Sequence, residues 1–252
     1  MMIALSVLRL LKRFRRNAVS RSPGAVASCP KMVVVAGVAT LALVGCASPD
    51  ATRYYTLQEP LVSSDSGSVR PGSSTPVDPV VSGAAVPFLI SLQPVVVPEQ
   101  VDRLQIVVTD PGSTQVYPLE SSLWVAPLSR EFRAALSAHL QKQLNTLDVD
   151  LMQLPQGQSV WKIMSAVQRF ESVYEQQVVL EMTWTLESLN LKTEQSRVCG
   201  ARTVVRVGNG MSALVQGHQE ALHRVARVMA AHIRSAGQKP ADQPDVEIKA
   251  CR

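Results

Sequence analysis

Cys46 is the residue best placed to do chemistry, because of what precedes it. Met32 to Cys46 is an apolar run ending in Leu43-Val44-Gly45-Cys46, with Lys31 and several arginines upstream. An apolar segment of about a dozen residues behind a basic region is too short to span a bilayer and reads as a secretory signal. An aliphatic residue, a small residue and a cysteine at its end match the bacterial lipobox. The soft Cys46 thiol would form a thioether to a diacylglyceryl group. Cleavage after Gly45 would free its amine, which would then be acylated. The competing reading is a secretory signal beside an incidental cysteine.

Other reactive side chains are sparse. Cys29 falls in the leader, so Cys199 and Cys251 remain. In an oxidising periplasm two leftover cysteines often pair, which would pin the C-terminal tail to the strand around Cys199. The alternative is two free thiols. His218 and His223 are five apart, about 140° around a helix, whereas a helical zinc site needs i and i+4. With His139 and His232 they read as packed or solvated histidines, and no metal site is expected. A Gly-x-Ser-x-Gly elbow is missing, and Gly208-Asn209-Gly210 lacks the spacing and lysine of a phosphate loop. No catalytic residue is expected, and no cofactor beyond the diacylglyceryl and N-acyl lipid on Cys46.

Charge divides at the same point. Residues 1–45 hold seven of the 25 basic residues and none of the 20 acidic ones, so the rest carries a net charge of −2. The basic pI belongs to the leader, and no nucleic-acid partner is expected.

The elements follow from periodicity. After the leader (1–45) and a tether (46–53) comes a segment, 54–87, that opens with the β-prone Tyr54-Tyr55-Thr56-Leu57. Its remainder is rich in Ser, Gly and Pro and reads as flexible. From Cys46 to Pro87 the chain would reach roughly 140 Å at full stretch. A folded domain, 88–236, follows, then a loose polar tail, 237–252. Strands are predicted over Phe88 to Val97, Leu104 to Thr109, Trp161 to Val173, Gln177 to Leu189 and Arg197 to Val207. Leu180, Met182, Trp184 and Leu186 alternate with Glu181, Thr183, Thr185 and Glu187, so one face is buried. A helix over Ser129 to Leu147 places Phe132, Leu136, Leu140, Leu144 and Leu147 on one stripe, with Ser129 as N-cap. A second, Met211 to Ser235, turns Val215, Leu222, Val225, Met229 and Ile233 inward. The expectation is an α/β (α+β) fold: a single mixed sheet of five to six strands with two amphipathic helices packed on it.

Several short motifs occur in order. They are Tyr54-Tyr55-Thr56-Leu57, Val95-Val96-Val97-Pro98-Glu99, Asp102-Arg103, Gln105-Ile106-Val107, Leu123-Trp124 with Pro127-Leu128, Arg169-Phe170, Trp184 and the helix Val215 to Ile233. Together they resemble the paraquat-inducible protein C (PqiC-like) family, lipoprotein auxiliary subunits of ABC-type transport systems. Gln100 and Leu104 depart from the aromatic and proline of that pattern. The resemblance implies a lipid-anchored outer-membrane protein facing the periplasm, and Ala47 fits that sorting. It implies a partner with mammalian-cell-entry (MCE) domains that carries lipid, and self-association into a ring. Val97, Pro98, Arg103 and Trp124 are candidate partner contacts, since Trp and Arg are enriched at binding hot spots. The other reading puts Trp124 in the core and Arg103 in solvent. Two rivals to a docking subunit stand: a lipid carrier with its own cavity, and an envelope hydrolase.

Overall fold

The computed structural model describes residues 51–59, 85–149, 157–190 and 196–252. The leader, Leu43, Val44, Gly45 and Cys46 lie outside the described residues, as does most of the Ser/Gly/Pro-rich segment. The strands are β1 (Arg53–Tyr55), β2 (Leu89–Leu92), β3 (Gln105–Thr109), β4 (Val116–Trp124), β5 (Val160–Val173), β6 (Gln177–Leu189), β7 (Ser196–Arg206) and β8 (Glu247–Cys251). Two helices, α1 (Leu128–Leu144) and α2 (Met211–Arg234), complete an α+β fold. The sheet runs β1-β4-β3-β5-β6-β7-β8, with β2 also beside β5. It is mixed: β5-β6-β7-β8 and β3-β4 are antiparallel, whereas β1 on β4 and β2 on β5 are parallel.

Eight strands replace the expected five to six. The Tyr54 region docks into the sheet, with Tyr54 opposite Leu123. Val116–Trp124 was hidden by Pro118 and three polar residues in its middle. The expected loose tail contains β8, which pairs with β7.

The β5–β6 hairpin turns through Glu175 in the left-handed region, and α2 lies across β6 and β7 with α1 beside it. Leu180, Met182, Trp184 and Leu186 are buried, as are Val215, Leu222, Val225, Met229 and Ile233. On β6 the opposite row is half-buried rather than wet, because neighbouring strands flank it. Lys162 pairs with Glu187 at 3.2 Å, and Gln168 Nε2 donates to Thr183 Oγ1 at 3.0 Å.

Helix α1 departs from expectation at both ends. Pro127 is its N-cap residue and Ser129 lies inside the helix, its N–H donated to Asp102 Oδ1 at 2.9 Å. The cap therefore comes from the β2–β3 connection. At the far end Asn145 takes a left-handed conformation and stops the helix after Leu144, which leaves Leu147 exposed. Close approach explains one glycine: a Cβ on Gly217 of α2 would collide with Val207 Cγ1.

Candidate docking site

The sequence Pro94-Val95-Val96-Val97 continues β2 along β5. Gln93 donates its N–H to Ile163 O at 2.9 Å and Val96 to Ser165 O at 3.0 Å, while Val96 O accepts from Val167 at 2.8 Å. Alternation sends Val95 and Val97 into the core and leaves Val96 65% exposed. Across from this edge stands the first half of α1, positioned by the Asp102 cap. Between them lies an open groove of about 920 Å³. Pro94 to Val97 form one wall, Ser129, Arg130, Arg133 and Ala134 the other, and Asp102 closes one end.

Asp148 ties Arg133 of the helical wall to β2. Its Oδ1 accepts the Leu92 N–H at 3.1 Å, and its Oδ2 meets Arg133 at 2.8 Å and Ser137 Oγ at 2.7 Å. Of the four proposed contact residues, Val97 lines the groove and Pro98 starts the turn behind it. Arg103 is exposed on that turn.

Trp124 corrects the expectation, being only 1% exposed. It stands edge-on to Phe170 and to His218, with ring centroids 6.3 Å apart in each case. A partner cannot reach it; it fills the core between the sheet and α2. Sequence reasoning missed Arg130, Arg133, Ala134 and Asp148. The signal was the i, i+3, i+4 spacing of the first three, beside the apolar stripe of α1.

His218 meets Ser172 at 2.8 Å between Nε2 and Oγ, the distance of a serine and its general base. Both residues are about 1% exposed, and His218 stacks on Phe170 at 4.0 Å. Burial pushes the His218 pKa down to about 3, and among the described residues its Nδ1 has no hydrogen-bond partner. This imidazole is packed against Phe170 and Trp124 inside the core. His232 is also buried. It accepts the Trp184 indole N–H on Nδ1 at 2.9 Å, which leaves Nε2 to donate to Gly237 O at 2.9 Å. Burial lowers its pKa, opposed by the Gly237 bond and reinforced by Arg197.

His139 and His223 face each other, 5.4 Å between centroids, in a smaller hollow with Glu59, Lys142 and Arg227. Burial lowers the His139 pKa; Glu59 opposes this, while His223 and Lys142 add to it. Among the described residues no three potential ligands converge as a metal site.

Cys199 and Cys251 are directly opposite in the β7–β8 register, Cα atoms 4.1 Å apart, and a disulfide joins them. The flanking Val198 and Arg252 exchange both backbone hydrogen bonds, which makes the cysteines the close, non-hydrogen-bonded pair.

The sequence model of a family described as "ABC-type transport auxiliary lipoprotein component" matches residues 73–230. No curated protein matches the chain. Among solved structures, an uncharacterized protein shares 18% identity at a TM-score of 0.53, covering 73% of this chain and 99% of its own. A protein from Xanthomonas campestris shares 15% at a TM-score of 0.47, covering 61% of this chain and 87% of its own.

Proposed function

The chain belongs to the ABC-type transport auxiliary lipoprotein component family, and from that premise we propose an outer-membrane-anchored, periplasm-facing docking subunit without catalysis of its own. It carries diacylglyceryl and N-acyl chains on Cys46, since stable attachment takes more than one chain at about 0.8 kcal/mol per buried CH₂. Its partner is the transporter's MCE-domain protein, which moves lipid between the membranes, and it self-associates around that partner.

The observation that carries the reading is the groove between Val95–Val97 and α1. It offers an apolar wall beside exposed Val96, with Arg130 at its rim. Docking of β1 into the sheet supports a short mooring. Only the stretch from Cys46 to Arg53 separates lipid from fold, a reach of about 25 Å at most.

The lipid-carrier reading fares less well, because the groove is open and its lining includes Asp102, Arg130 and Arg133. The test is binding of the full lipidated chain, in nanodiscs, to the periplasmic part of the MCE-domain protein. Saturable binding supports a docking subunit. Co-purifying phospholipid in place of binding supports a carrier.

A further inference from the structure

We propose that the groove takes a short extended segment of the partner, which adds as a strand beside Val95–Val97; this rests on the docking reading above.

Alternation along an extended chain directs the peptide groups of Val96 toward β5 and those of Val95 and Val97 the other way. Among the described residues, neither the N–H nor the C=O of Val95 or Val97 has a hydrogen-bond partner. Both residues line the groove and are nearly buried, at 4% and 8% exposure. A buried backbone N–H without an acceptor is costly, and a matching ligand relieves that cost.

The chain itself already uses the neighbouring part of this lane. Ile90 donates to Leu147 O at 3.1 Å, and Val149 donates to Ile90 O at 2.9 Å, a parallel bridge on the side of β2 away from β5. Asp148 then caps Leu92, and from Pro94 to Val97 the lane stands open. The open stretch suits about three or four residues at roughly 3.3 Å each.

The chemistry selects among occupants. A fatty acyl chain has no acceptor for the Val95 and Val97 amides and would bury them unpaired. An extended peptide supplies donors and acceptors at the right repeat, the mode by which strand-and-helix grooves bind partner segments. Its outward side chain lies beside Val96 and its inward one beside Ala134, so apolar residues fit both. Arg130 is exposed and has no ion pair among the described residues, which favours an acidic residue at the rim.

The experiment uses the full lipidated chain in nanodiscs and the periplasmic part of the MCE-domain protein. It reads binding together with hydrogen exchange resolved at the Val95 and Val97 amides. Slowed exchange at both amides, with affinity about tenfold weaker in Ala134→Trp and several-fold weaker in Arg130→Glu, supports the added strand. Arg130 is exposed, so Arg130→Glu remains decisive if Ala134→Trp fails to fold. Binding without slowed exchange, or undiminished in the folded variants, overturns the added strand and leaves docking intact. Wild-type chain that does not bind at all overturns both.

Discussion

Glu131 Oε2 accepts the backbone N–H of Leu57 at 2.9 Å, joining the segment after β1 to the first turn of α1 across 74 residues. The same oxygen receives the Thr56 hydroxyl at 2.7 Å, and Leu57 is fully buried. Glu131→Ala leaves the Leu57 amide without its acceptor, a loss of about 1–3 kcal/mol. Glu131→Gln keeps an acceptor and loses less. Urea unfolding of the two variants at one pH should give that order.

His218 makes stability depend on acidity. Its folded pKa, about 3, lies below the ordinary 6.5, so between those values the unfolded chain holds a proton that the folded chain lacks. Stability therefore falls as pH drops through this window and levels off below it. The loss from pH 7 to pH 5 is on the order of 2 kcal/mol from this group. His139 and His232, also lowered by burial, act in the same sense. His218→Gln should be less stable than wild type at pH 7, yet show a shallower slope of unfolding free energy against pH. An unchanged slope would remove His218 as the cause.

The Cys199–Cys251 disulfide fastens the edge strand β8, none of whose five residues is fully buried. With the cysteines 52 positions apart in sequence, loop-closure entropy sets its worth at about 4 kcal/mol. Reduction, or Cys251→Ser, should lower the unfolding midpoint and raise hydrogen exchange in β8 before β6. The readout is exchange by mass spectrometry with and without reductant.

Much of the architecture was legible where one face alone is buried. Leu180, Met182, Trp184 and Leu186 announced β6, and the stripe from Val215 to Ile233 announced α2. Illegible were elements whose residues have no such contrast. The first half of β4 lies exposed at Val116, Tyr117 and Pro118, and β8 alternates weakly because β7 and the disulfide hold it. Leu147 kept helical spacing in the sequence, yet Asn145 had already ended the helix. Trp124 could not be sorted between core and interface by residue type, since both favour tryptophan. The groove was only half visible: Val97 and Pro98 were marked, but its helical wall depends on Asp102 and Asp148 arriving from elsewhere in the chain.

Gly217 sets two effects against each other. Replacing it with alanine gains about 1 kcal/mol of helix propensity. The added Cβ meets Val207 Cγ1, and overpacking costs about 1–3 kcal/mol. Strain should win, so Gly217→Ala is expected to melt lower than wild type. A higher melting temperature would mean that Val207 yields.

Attachment through Cys46 is the central claim, and metabolic labelling with palmitate followed by membrane fractionation reaches it most directly. Wild-type chain should carry label and sediment with outer membranes, whereas Cys46→Ser should lose the label and appear in the soluble periplasmic fraction. Equal label in Cys46→Ser and wild type would contradict the account.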